Sequence, residues 1–488
     1  MYETRIRFKG KKTFWKLGVC VWAFLSCYWL NAQISYEYTT NKSFYLGSYG
    51  RVGVDWSFEN GESIGRRLNL SNMGSIGGRL EEQDYLELVP NFVFKPKKGD
   101  STTIHVQMRL SVYATSLTSI GNSSTTSLGG LNFALPEIYA EARNIKGKDL
   151  NIWIGSRLYR GPDVHIADHY YFNDHSGQGF GVEYKKSRMA AVFVASVDTT
   201  STLPPYFYLN IETGTLSAAL RQRTVVIGEH DFELNQDNRI TALGEVHYMG
   251  GGDEDNDLTE PGDVGEAVNF PSDYGLVFGA RYHRRFRKLL DGSFNDLAVR
   301  YGSGIANGGD GGISKTWYTF GAPNAEDLNF RGAYSWSVVN QAMLNISNFY
   351  SLNGYVIFTK SKGGADSNHI AETYFGKEVF NRKLDLAIGT RNEFYITDYF
   401  HILAELHYAQ RKDGTNPNAS MTKFSIAPVF VPTGARDIWA RPHFRFVASF
   451  ARYNDFAKEN LHSPYLLFTG PKRWGYYFGV KAEWWLWK

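Results

Sequence analysis

The chain has 488 residues, 52 basic against 49 acidic side chains and a 16% aromatic content, but only two cysteines. Its near-neutral balance excludes a nucleic-acid footprint, and two cysteines exclude a disulfide-stapled scaffold. No apolar run reaches the ~20 residues a spanning helix needs, which excludes a helical membrane protein.

At the amino end, Arg5, Arg7, Lys9, Lys11, Lys12 and Lys16 lead into an apolar stretch from Leu17 to Leu30, closed by Asn31-Ala32-Gln33. This is the anatomy of a secretory signal peptide over residues 1–32, cut after Ala32. Cys20 and Cys27 both fall inside it, so the exported chain carries neither a disulfide nor a thiolate metal site. Its removal takes six basic residues and one acidic one, leaving 46 basic against 48 acidic side chains. The positive charge is therefore a targeting signal. Residues 33–488 contain no Pro/Ser-rich linker and read as one domain.

Period-2 alternation then predicts strands along the chain. From Ile104 to Tyr113, Ile104, Val106, Met108, Leu110 and Val112 share one face, and His105, Gln107, Arg109, Ser111 and Tyr113 the other. The next informative stretch breaks this rule. Tyr159 to Phe172 packs charge, imidazole and aromatic rings into a segment with no strand or helix period, and Gly161-Pro162 marks it as an irregular loop. It reads either as a catalytic or metal centre in a soluble enzyme or as the inward-folded constriction of a pore. Its Asp163, His165, Asp168, His169, Asp174 and His175 match no helical zinc spacing, so no metal is expected.

Further strands are predicted at 191–197, 276–286, 334–346, 349–359 and 384–395, and the acidic run 253–257 reads as a solvated loop. Between His401 and Tyr408, Ile402, Ala404, Leu406 and Tyr408 oppose His401, Glu405 and His407, with Leu403 as the exception. From His443 to Phe450 the apolar face is Phe444, Phe446, Ala448 and Phe450. In the last strand Phe478, Val480, Ala482, Trp484 and Leu486 share one face, so Trp485 falls on the side of Lys481 and Glu483.

These strands fit a soluble sandwich or a transmembrane barrel. Aromatics crowd the strand ends at Tyr476-Tyr477-Phe478 and Trp484-Trp485, where an interfacial girdle places them. Export without a spanning helix adds to that, and the fold class expected is all-β, a transmembrane antiparallel β-barrel in the outer membrane of a Gram-negative cell.

Ordered patches over nearly the whole exported chain resemble the maltoporins, the carbohydrate-selective outer-membrane porins. They are Tyr49-Gly50-Arg51 in the first strand, then Arg79-Leu80 and Tyr85-Leu86-Glu87 in the next, and Gly147-Lys148 with Leu150. Tyr159-Arg160, Asp163-Val164-His165, Asp168 and Tyr170-Tyr171 with Ser176-Gly177 resemble the constriction loop. Later come Leu289 to Tyr301, Ile438-Trp439-Ala440-Arg441-Pro442, and Phe478-Gly479 with Glu483.

The resemblance implies an eighteen-stranded barrel, a homotrimer, a third external loop folded into each lumen, and passive diffusion of maltose and maltodextrin-type oligosaccharides without a cofactor or catalytic group. It assigns Tyr49, Tyr85, Phe294, Trp439 and Trp485 to an aromatic slide. Arg51, Arg79, Glu87, Arg160, Asp163, His165, Asp168 and Tyr170 map to the polar track and constriction. One departure stands out: no Phe, Tyr or Trp lies between Ala114 and Leu131, where the family's second loop supplies a ring to a neighbouring subunit, and Phe133 is the candidate substitute. A general or anion-preferring diffusion porin is the alternative. A barrel hydrolase needs a triad around Ser176 with His175 or His169, and no Gly-x-Ser-x-Gly motif surrounds that serine.

Overall fold

The computed structural model describes residues 39–56, 68–96, 100–114, 131–197, 220–251, 271–308, 318–324, 326–365, 370–374 and 377–486. The expected signal peptide, the segment 115–130 and the acidic run 253–257 lie outside the described residues.

In chain order the strands are β1 (Thr39–Trp56), β2 (Tyr85–Pro96), β3 (Thr103–Ala114), β4 (Leu131–Arg143), β5 (Leu150–Arg157), β6 (Asp163–Val164), β7 (His169–Tyr170), β8 (Gly177–Tyr184), β9 (Ser187–Val197), β10 (Leu220–Glu233) and β11 (Asn238–Met249). They continue with β12 (Asp273–Arg285), β13 (Phe294–Gly304), β14 (Tyr334–Ser347), β15 (Tyr350–Lys362), β16 (Ile370–Tyr374), β17 (Lys377–Phe380), β18 (Arg382–Tyr395), β19 (Phe400–Asp413), β20 (Ala419–Phe430), β21 (His443–Tyr453) and β22 (Trp474–Leu486). Two short helices, α1 (Asp455–Glu459) and α2 (Pro464–Thr469), sit between β21 and β22.

Eighteen strands form one sheet in which each pairs antiparallel with its sequence neighbours, while β6–β7 and β16–β17 are separate small hairpins. The circle closes where β1 pairs with β22, from Ser48 opposite Leu486 to Trp56 opposite Phe478. Each of the eighteen thereby has a partner on both edges, the condition for crossing a hydrocarbon layer with extended backbone. Long connections such as 158–176 and 454–473 alternate with short ones such as 185–186 and 396–399. In outer-membrane barrels the long ones are external.

Alternation sorts the side chains. On β19, Leu406 is 54% exposed on the outer wall while its neighbours Glu405 and His407 are buried inside. Val54, Ile154, Val246, Ile388 and Ile426 join Leu406 outside; Glu245, Arg391, Lys423, Arg445 and Lys481 point in. Leu403, the exception in the pattern, is an apolar residue on the inner side and belongs to an interior apolar cluster with Leu68, Leu80 and Val429.

Two of the connections that fold into the barrel build much of that cluster. The one between β1 and β2 buries Leu68, Leu70, Met73, Ile76 and Leu80. Tyr453 on β21 donates to its Leu68 carbonyl at 2.5 Å. Lys423 on β20 pairs with its Glu81 and donates to Asn69 at 2.8 Å. Since β2 begins at Tyr85, Arg79-Leu80 lies in this connection rather than in a strand, correcting the placement expected from the sequence. The second inward connection, 158–176, carries β6 and β7.

The outer-wall assignment makes a stability prediction. Leu406→Arg, near the middle of β19, should lower barrel stability by about 2–4 kcal/mol in denaturant unfolding from lipid bilayers, whereas Leu406→Met should leave the midpoint close to that of the parent.

Candidate functional site

The inward connection between β5 and β8 is a short hairpin with a helical tip. Asp163 pairs with Tyr170 and Val164 with His169, and a single 3-10 turn over His165–Ala167 joins them. Asp168 closes that turn at φ 44°, a left-handed position that an Asp tolerates better than most residues. The two limbs touch at Gly161, where a Cβ would lie 1.6 Å from Asn173 Oδ1, so only glycine fits.

The loop is pinned to walls far apart in sequence. The Tyr171 hydroxyl donates to Asp296 Oδ2 at 3.2 Å on β13 and accepts from Gln341 Nε2 at 3.1 Å on β14. Asn173 donates to Glu229 on β10, and His175 Nε2 meets Glu245 Oε1 at 3.0 Å on β11. At its tip, Arg79 Nη1 lies 3.6 Å from Asp168 and donates to the His165 carbonyl at 3.4 Å. Within the loop, the Ser176 hydroxyl donates to Asp174 Oδ1 at 2.5 Å.

Facing the tip, four rings stand in series. Trp439 and Trp485 have centroids 5.8 Å apart, Trp485 and Tyr49 6.3 Å, and Tyr49 and Tyr85 5.8 Å. Trp485 is on the inner side of β22, as its parity requires, beside buried Lys481 and Glu483. Trp439 sits in the connection from β20 to β21. His165 presses edge-on against both indoles, 5.0 Å from Trp439 and 5.4 Å from Trp485. Phe294 also faces the interior, on the side of Asp296, but its ring neighbour is His283 at 5.6 Å, apart from the series. Phe133 lies on the outer wall of the barrel.

Charged groups flank the rings. Arg51 bonds Glu82 at 2.8 Å, donates to the Tyr49 hydroxyl at 3.1 Å and holds its guanidinium 5.4 Å from the Tyr85 ring centroid. Arg79 reaches the same hydroxyl at 3.3 Å. Arg441 lies 4.8 Å over Trp485, and Arg160 4.8 Å over Tyr170 while bonding Asp174 at 3.3 Å. Glu87 is held by Arg109, which also bonds Glu137 at 3.1 Å.

Rings, guanidinium groups and loop tip enclose a cavity of about 510 Å³. Eleven of the residues picked from the sequence line it: Tyr49, Arg51, Arg79, Tyr85, Glu87, Arg160, Asp163, His165, Asp168, Tyr170 and Trp485. Trp439 joins through the ring series, and Phe294 stands off. Arg109 lines the cavity too and was passed over, although it shares the polar face written out for 104–113. Glu483 was noted only within a patch, yet it accepts from the Tyr49 hydroxyl at 3.2 Å and from Arg445 at 2.6 Å.

Burial, with Asp168 nearby, pushes the Asp163 carboxyl up to about 6. Burial likewise raises Tyr170 to about 12, so its hydroxyl stays protonated. His165 is driven well below its ordinary value by burial and by Arg79, and it is neutral at physiological pH. Above pH ~6 the cavity therefore presents four guanidinium groups against three carboxylates, and below it one carboxylate fewer.

The sequence profile described as LamB porin matches residues 44–486. The chain belongs to the LamB porin family. Among relatives of this LamB porin, Maltoporin 1 of Klebsiella pneumoniae subsp. pneumoniae is 23% identical over 457 residues, covering 90% of this chain and 92% of that protein. Maltoporin 2 of Yersinia pestis is 23% identical over 461 residues, covering 90% and 93%. Among solved structures, Pseudomonas aeruginosa OpdK with vanillate covers 92% of this chain and 99% of that one at 9% identity, with a TM-score of 0.43. Family and closed barrel together make this a porin of the Gram-negative outer membrane, a channel built for passage.

The position of Asp163 predicts a pH response for the pore. The carboxyl is neutral at pH 5 and ionised at pH 7, so anion preference, read as the reversal potential across a KCl gradient, should be greater at pH 5 and fall as pH rises through about 6. Asp163→Asn should hold the low-pH selectivity throughout; an undiminished step in that variant assigns the titration elsewhere.

Proposed function

We propose that this porin carries linear maltodextrin-type oligosaccharides by facilitated passive diffusion, and that it works as a homotrimer. The reading rests on one observation, the series Trp439, Trp485, Tyr49 and Tyr85 at centroid steps of 5.8 to 6.3 Å beside a line of guanidinium and carboxylate groups. A glucose ring has an apolar C–H face and an equatorial belt of hydroxyls. The aromatic plates take the face without directional bonds, while Arg51, Arg79, Glu87, Arg160, Asp163 and Asp168 exchange charge-assisted hydrogen bonds with the belt. Repeated weak sites let one sugar leave a plate as its neighbour arrives. A single tight site would stop conduction. The naming of two relatives as maltoporins supports the choice of sugar, and the trimer rests on the family resemblance of the sequence alone.

In planar bilayers, maltooligosaccharides should block the ionic current in a concentration-dependent way, and comparable non-sugar solutes should not. Trp485→Ala should weaken that block roughly 3- to 10-fold, the loss of one stacking partner worth about 0.5–1.5 kcal/mol. An unchanged blocking constant removes Trp485 from the path. The second reading, a general or anion-preferring diffusion porin, is favoured by the excess of guanidinium groups in the cavity. It requires size-limited conductance that no sugar blocks.

A further inference from the structure

The ring series does not end at Tyr85. Tyr113 on β3 is the residue directly opposite Tyr85 in the β2–β3 register. Its ring centroid is 6.3 Å from that of Tyr85 at an interplanar angle of 28°, the flattest step of the series. Tyr85 is the first residue of β2 and Tyr113 the last but one of β3, so both stand at the long-connection end of the barrel. Trp439, at the other extreme, lies in the connection 431–442 between β20 and β21, at the opposite end of the barrel. The five rings thus form one continuous series leading from the β20–β21 connection toward the long-connection end of β2 and β3.

The polar complement continues with them. Arg109 and Ser111 share the inner face of β3 with Tyr113. Arg109 is bonded to Glu87 and Glu137, and the Tyr85 hydroxyl reaches both Glu87 at 2.5 Å and Ser111 Oγ at 3.3 Å. A ring lying flat against its neighbour, half-buried, with a charged pair one step below it, repeats the chemistry of the plates deeper in.

We propose that Tyr113 is the outermost stacking plate, a mouth subsite that takes the leading ring of a linear oligosaccharide, with Arg109 and Glu87 bonding its hydroxyls. This rests on the sugar-slide reading above. Because the plate belongs to the same chain as the rest of the series, each barrel captures sugar without a ring from another subunit.

The test is a current-block series with maltose through maltohexaose added on the long-connection side of porin inserted with known orientation. Tyr113→Ala should weaken block by maltohexaose about 3- to 10-fold, mainly through slower association, and leave maltose nearly unchanged. Tyr113→Phe and Tyr113→Trp should keep the parent behaviour. Unblocked conductance reports that each variant has inserted. If Trp485→Ala weakens block and Tyr113→Ala does not at any length, the slide stands and the mouth subsite is wrong. Equal weakening for maltose and maltohexaose also overturns it, since the ring then acts through the wall and not through the sugar's leading end. If no maltooligosaccharide blocks the parent, the sugar reading fails and the subsite fails with it.

Discussion

Everything in this protein depends on the pairing of its first strand with its last. A sheet of seventeen antiparallel joints still has two open edges, and each unpaired N–H or C=O in hydrocarbon costs several kcal/mol. The β1–β22 ladder removes both edges at once. Once the circle is closed, the two-residue period becomes a partition between solvents, with Leu406 and Ile426 facing lipid and Glu405 and Ser425 facing the lumen.

The interior so created is too wide to select, and the protein narrows it with chain instead of with side chains alone. The inward connections 68–84 and 158–176 meet at Arg79. Its guanidinium bonds Glu82 at 3.1 Å within its own connection, Asp168 on the constriction hairpin, and the Tyr49 hydroxyl of the ring series. One planar cation with five fixed donors thus holds the walls of the cavity in register, a task for which a lysine lacks the geometry. Each guanidinium of the cavity has a carboxylate partner beside it, Glu82 for Arg51 and Arg79, Asp174 for Arg160 and Glu87 for Arg109.

Much of the barrel was legible because strand parity is a local property. The faces written for 104–113, 401–408 and 443–450 hold in the structure, and Trp485 falls inside because Lys481 and Glu483 do. The number of strands was not local, since no residue records how many partners follow it; that came from family resemblance. The inward fold of 68–84 went unread. Its apolar residues, Leu68, Leu70, Met73, Ile76 and Leu80, keep no single period, and the segment is held inside by Lys423 and Tyr453, more than 340 residues away. Arg109 was visible on the right face but carried no distinguishing mark. Phe294 had the opposite fate: it belongs to a matching patch, yet it stands apart from the other rings.

The anchors of the constriction hairpin carry a consequence for how the pore comes into being. Tyr171 leans on β13 and β14, Asn173 and His175 on β10 and β11, and His165 on two indoles from the final fifty residues. None of those partners is in place when the hairpin's own strands first pair, and loop docking over such separations waits until the intervening chain is ordered. The aperture is therefore a property of the finished circle. A barrel halted before its last strands join lacks the indoles on which His165 rests, so the step that seals the wall against lipid also completes the constriction.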